Sequence, residues 1–110
     1  MKKEESTDTY RSKFQDESID QLFEAILSLE DMGECYRFFE DICTVNEIKS
    51  LAQRLEVARM LSEDKTYNEI AQKTNASTAT ISRVGRFLNY GADGYRIILD
   101  RLRSKKGVDR

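Results

Sequence analysis

From Ser77 to Arg86 the sequence runs STATISRVGR. If this stretch is helical, Thr78, Ala79, Thr80, Ser82, Arg83 and Arg86 make its outward face, and Ile81 and Val84 point the other way. The outward set holds short hydroxyls, one methyl and two guanidiniums. Such groups do no proton-transfer or nucleophilic chemistry by themselves. They suit hydrogen bonding to base edges and phosphates, because short side chains let a helix backbone come close to the major groove. Ala79 can touch a thymine methyl, and the helix N-terminus at Ser77 favours a phosphate. A solvated helix face is usually rich in Glu and Lys, yet no acidic residue stands between Gln72 and Asn89. The stretch is therefore read as a DNA-contacting helix, with Arg83 and Arg86 suited to phosphates or a ligand.

Such a helix must be held by a partner, and the preceding residues supply one. Thr66-Tyr-Asn-Glu69 has the form of a capping box and starts a helix of about two turns ending near Thr74. Asn75 stands where the chain must turn through a left-handed conformation, for which Asn is the best substitute for Gly. Ala71 is the small residue at the helix crossing, and Ile70, Ala76, Ile81 and Val84 form the inward face. Ser77 or Thr78 caps the second helix, which Gly91 closes near Tyr90. Residues 66–90 are thus a helix-turn-helix. Asn68 and Lys73 on its first helix join the candidate DNA contacts, and Lys65, Arg96, Arg101, Arg103, Lys105 and Lys106 are further candidates for phosphates.

The remaining elements are helical as well. Proline is absent and charged residues make up 35% of the 110, a composition that favours uninterrupted helices. Residues 1–16 read as a flexible polar arm. Ser18-Ile-Asp-Gln21 resembles a capping box and opens a helix with Ile19, Leu22, Phe23, Ile26 and Leu27 at helical spacing. A second helix spans about Gly33 to Ile42. Thr44-Val-Asn-Glu47, another capping box, starts the longest one, with Ile48, Leu51, Ala52, Leu55, Ala58 and Leu61 as its apolar stripe and an end near Ser62. A last helix carries Tyr95, Ile98, Leu99 and Leu102. The expectation is an all-α chain of about six helices: one domain over 17–104 and a basic tail at 105–110. The large apolar groups of the first two helices are more readily buried in a homodimer than in a monomer.

Charge and composition narrow the function. Residues 1–43 carry 12 acidic against 5 basic side chains, and residues 44–110 carry 8 against 13, so the net charge of −2 hides a dipolar molecule. The basic half is where a polyanion would bind. With no histidine, no glycine-rich phosphate loop and only two cysteines, Cys35 and Cys43, both among apolar residues, the sequence offers no catalytic set and no metal site. No apolar run approaches a membrane span, and a polar, acidic start carries no signal peptide, so a cytoplasmic protein is expected. A helical protein–protein adaptor without DNA binding is the alternative, favoured by the acidic N-terminal half.

From Ile42 to Leu102 the sequence resembles the Trp-repressor family, through TVNEIKSLAQRLEVARML and TYNEIAQKTNASTATISR. The segment DQLFEAILSLEDMGECYRFFEDICT and the later FLNYGADGY resemble its YerC/YecD-type branch. The resemblance implies an intertwined homodimer whose two recognition helices reach successive major grooves about 34 Å apart, acting as a transcriptional regulator, most simply a repressor. It also implies an effector pocket at Thr44, Arg54, Arg83, Val84 and Phe87. Here the family's glycine after the second arginine is Val84 and its serine further along is Phe87. Both replacements fill space an indole needs, so tryptophan is not expected as corepressor, and any other small-molecule effector is unidentified. No cofactor is implied. The DNA-reading positions carry over at Thr78, Ala79, Thr80 and Ser82, whereas the family's basic contacts on the preceding helix fall at Asn68 and Ala71, so a different operator is expected.

Overall fold

A computed structural model describes residues 10–106. The expected arm and tail fall partly at residues 1–9 and 107–110, which lie outside the described residues. Among the described residues six helices follow in order: α1 (Glu17–Leu27), α2 (Met32–Ile42), α3 (Val45–Ser62), α4 (Tyr67–Thr74), α5 (Thr78–Tyr90) and α6 (Gly94–Lys105). No strand occurs among the described residues. The chain forms two compact units, one ending at Ile42 and the other beginning at Cys43.

The first unit starts with a cap different from the one expected. Asp16, not Ser18, is the N-cap of α1: its carboxylate accepts the Ile19 N–H at 3.0 Å and the Ser18 hydroxyl at 2.9 Å. A charged acceptor outcompetes a hydroxyl for the orphan amides, and these bonds hold the Asp16 carboxyl below its usual range. Neither α1 nor α2 contains a buried residue. Phe23 is 54% exposed and Leu27 69%; Phe38 and Phe39 meet edge to face, centroids 5.4 Å apart. These helices keep apolar faces open.

The second unit holds the core: Val57, Ala58, Met60, Ile70, Ala76, Ile81, Val84, Leu88 and Leu99. Helix α3 packs against α4, α5 and α6, and α5 packs against α4 and α6. The face α3 uses matches the expected stripe only at its C-terminal end. There Ala58 is buried and Leu61 packs against the core, but Val57 and Met60 are buried as well, whereas Leu51, Ala52 and Leu55 are exposed. Apolar residues surround this helix, so its sequence period does not select one face; the positions of α4–α6 do.

The end of α3 shows why the following helix begins where it does. Asp64 adopts φ 63, its N–H donates to the Leu61 carbonyl at 3.0 Å, and the Lys65 N–H donates to the Met60 carbonyl at 3.1 Å. This is a Schellman closure with aspartate where glycine is favoured. Asp64→Gly is expected to raise stability by about 0.5–1 kcal/mol, since relief of the left-handed penalty exceeds the extra unfolded-state entropy of glycine. Urea denaturation measures it, and a lower midpoint for the glycine variant contradicts it.

Gly91 closes α5 as expected, its N–H donating to the Phe87 carbonyl at 2.9 Å, with φ −90 and ψ −148. Glycine is needed there for space, because a Cβ would collide with the Phe87 carbonyl.

Candidate nucleic-acid interface

Helix α4 is launched by Thr66. Its Oγ1 accepts the Glu69 N–H at 3.1 Å, and its own N–H donates to Glu69 Oε1 at 2.8 Å. That backbone bond lowers the Glu69 pKa. The helix ends eight residues on at Asn75, which adopts φ 62, ψ 16 as its left-handed cap. Thr74 fastens the turn from inside: its hydroxyl donates to the Ile70 carbonyl at 2.8 Å and accepts the Ala76 N–H at 3.1 Å. Gln53 reaches over from α3 and donates to the Thr74 carbonyl at 3.0 Å. The orphan groups of a buried-sided turn are thereby satisfied. Neither side-chain bond is among the contacts expected from the sequence. A threonine that can back-bond to the carbonyl four residues earlier is a usable signal for Thr74; nothing in the sequence links Gln53 to a residue twenty-one positions away.

Helix α5 begins at the Ser77 cap, whose hydroxyl oxygen accepts the Thr80 N–H at 3.1 Å. Ile81, Val84 and Leu88 are buried on its inner side. Thr78, Ala79, Ser82, Arg83 and Arg86 are exposed together on the outer side, with Thr80 half-buried at the margin. The first turn of α5 carries no acidic residue, so its positive dipole end is not compensated. Asn68 and Lys73 on α4 are exposed as well. Neither Arg83 nor Arg86 is engaged in a hydrogen bond or ion pair among the described residues, so both are available to an external anion.

Other basic residues are already committed. Arg59 on α3 binds Glu56 and Glu63. This pairing lowers the Glu56 pKa, chiefly through the Arg59 hydrogen bond, and raises that of Arg59. Arg96 donates to the Leu88 carbonyl at 3.0 Å and to Asn89 at 3.3 Å. Arg103 donates to Asp100 and to the Ser62 hydroxyl, both at 3.3 Å. Of the phosphate candidates, Arg96 and Arg103 therefore hold α6 in place.

The five residues of the expected effector pocket differ in exposure. The Thr44 hydroxyl is the α3 cap, accepting the Glu47 N–H at 3.1 Å. Arg54 is half-buried and Arg83 exposed. Val84 lies in the core at 2% exposure, and Phe87 stands 50% exposed. An open apolar groove of about 510 Å³ is lined by Leu55, Phe87, Ala92, Gly94, Tyr95 and Ile98, and of the five only Phe87 lines it. Among the described residues no group of side chains is arranged to hold a metal ion, and no helix is long and apolar enough to cross a membrane.

A family profile described as Trp repressor protein matches residues 17–103. The chain is 64% identical over 91 residues to a Bacillus subtilis protein described as uncharacterized protein YerC, covering 83% of this chain and 88% of that one. The crystal structure of a TrpR-like protein from Eubacterium eligens superimposes with a TM-score of 0.81 at 57% identity, covering 89% of this chain and 98% of the other. This all-α chain belongs to the Trp repressor family.

Proposed function

We propose that this protein is a sequence-specific DNA-binding regulator of transcription that acts in the cytoplasm as a homodimer, most simply by occluding a promoter. One observation carries the reading: α5 buries Ile81, Val84 and Leu88 while exposing a stripe of small hydroxyls, a methyl and two unpaired arginines. A helix clamped on one side, with short side chains and no acidic residue in its first turn on the other, is suited to the major groove. Thr78, Ala79, Thr80 and Ser82 read bases; Ser77, Arg83, Arg86, Lys73 and Asn68 hold the backbone. The open apolar faces of α1 and α2 support homodimerisation, which supplies a second recognition helix. No catalytic role is assigned to any residue. Any effector is something other than tryptophan, because Val84 and Phe87 replace the small residues that the family places beside the indole.

Selection of bound fragments from random duplex DNA tests the reading, followed by titration at several salt concentrations. Each neutralised phosphate contributes about −0.9 to the slope of log affinity against log salt. Arg83→Gln with Arg86→Gln removes two contacts per protomer and four per dimer, so the slope is expected to become shallower by roughly 3–4. An unchanged slope removes both arginines from the interface. Binding without sequence preference refutes the regulator.

A further inference from the structure

Among the described residues, two side chains from other helices hydrogen-bond to the helix-turn-helix, one toward each end of α5. Gln53 on α3 donates from Nε2 to the Thr74 carbonyl at 3.0 Å, in the turn that leads into α5. Arg96 on α6 donates to the Leu88 carbonyl at 3.0 Å, toward the far end. The other bonds of the turn are local. The Asn75 N–H donates to the Ala71 carbonyl, the Ala76 N–H to Thr74 Oγ1, and the Thr74 hydroxyl to the Ile70 carbonyl. These shape the turn without attaching it to α3. The direction of the Gln53 bond is fixed by chemistry: a carbonyl only accepts, so the amide nitrogen must face it.

Apolar packing of Ile81, Val84 and Leu88 holds α5 against the core, but apolar burial is not directional, whereas a hydrogen bond is. Helix α4 has a single buried residue, Ile70, and a rod held at one point can pivot about it. Thr80 lies about 12 Å from Leu88 along the α5 axis, so pivoting by roughly 5° around Leu88 moves Thr80 by about 1 Å. Recognition geometry has to be held to about 0.5 Å. A tie at the turn therefore controls where the reading residues stand, and the tie at Leu88 does not.

Resting on the DNA-binding reading above, we infer that Gln53 is a positioning residue for base recognition: its bond to the Thr74 carbonyl holds the turn at the angle at which Thr78, Ala79, Thr80 and Ser82 meet the bases together. It acts through the turn and not by touching DNA. Without the bond, tilted arrangements of α5 become populated, and affinity falls with the fraction of molecules that remain competent. The loss falls on base contacts, because short side chains cannot follow a shifted groove. Long arginine side chains adapt, so attachment to phosphates persists.

The test compares the wild type with Gln53→Met, Gln53→Lys and Arg96→Gln on the selected duplex and a scrambled one, at two salt concentrations. Methionine keeps the straight chain and helix propensity of glutamine but has no donor, whereas lysine keeps a donor. Gln53→Met is expected to lower the selected-over-scrambled ratio by about 3- to 10-fold for each recognition helix, the worth of one neutral hydrogen bond. The salt dependence on the scrambled duplex is expected to stay as in the wild type. Gln53→Lys is expected to restore the ratio while its charge tightens both duplexes alike. Arg96→Gln loosens the far end and removes a charge, so it is expected to weaken both duplexes and keep the ratio. Circular dichroism confirms that each variant is folded; a loss of stability alone leaves the ratio of the folded protein unchanged. If Gln53→Met keeps the wild-type ratio, if lysine does not restore it, or if Arg96→Gln lowers it equally, the role of Gln53 is refuted while the DNA-reading face stands. A wild type that ranks no duplex above another instead overturns the DNA-reading assignment, and this inference with it.

Discussion

Replacing Ile70 with alanine is expected to lower the unfolding free energy by about 2–5 kcal/mol, the range for truncating a buried isoleucine or leucine. Ile70 has no exposed surface, and it shares the core with Val57 and Ile81, which are almost equally inaccessible. Helix α4 is only eight residues long, too short to hold together on its own propensity. Its attachment depends on the apolar side chain it inserts between α3 and α5. A domain stable by about 5–15 kcal/mol has little margin against such a loss, so the variant should lose the turn at Asn75 along with α4. Gln72→Ala, at an exposed position of the same helix, is expected to change stability by less than about 0.5 kcal/mol. Urea denaturation of the two variants side by side checks this. A loss below 1 kcal/mol for Ile70→Ala would mean that α4 is held by something other than its core contact.

The helix-turn-helix was readable because its determinants are local. The boxes at Thr44 and Thr66 each place both partners within three residues, and both form with the expected bonds. Asn75 is left-handed as a turn at that point demands, and Ile70, Ala76, Ile81 and Val84 are all buried. Features that depend on distant neighbours were not readable. The core face of α3 is chosen by α4–α6 among several apolar alternatives, so Val57 and Met60 are inside where Leu51 and Leu55 had been expected. Arg96 and Arg103 look like any other basic residues until the Leu88 carbonyl and the Ser62 hydroxyl come within reach. The cap of α1 shifted by two residues because a stronger acceptor lay just upstream. The candidate DNA face sits between these cases: its composition is legible, while the Ser77–Thr80 bond and the Gln53 strut appear only once the backbone is folded.

Thr80→Trp is expected to abolish discrimination between the selected duplex and a scrambled one while leaving the fold intact. Specific binding in regulators of this kind is typically 10³-fold or more tighter than non-specific binding, and that margin depends on close approach to base edges. Thr80 lies at the margin of the exposed stripe, beside Ala79 and one residue before the buried Ile81. An indole there would stand off the groove on the side where Thr78, Ala79 and Ser82 are short, separating all of them from the bases at once. The arginines would be spared: Arg83 and Arg86 remain on the outer face, so the variant should still bind any duplex weakly and in a salt-dependent way. The separation between lost preference and retained electrostatic attachment distinguishes a damaged reading face from a damaged fold, in which both would vanish. Competition binding with matched and scrambled duplexes at two salt concentrations resolves the two terms. If the tryptophan variant keeps the full preference of the wild type, the bases are read by some other surface, and the stripe on α5 is solvent-facing and nothing more.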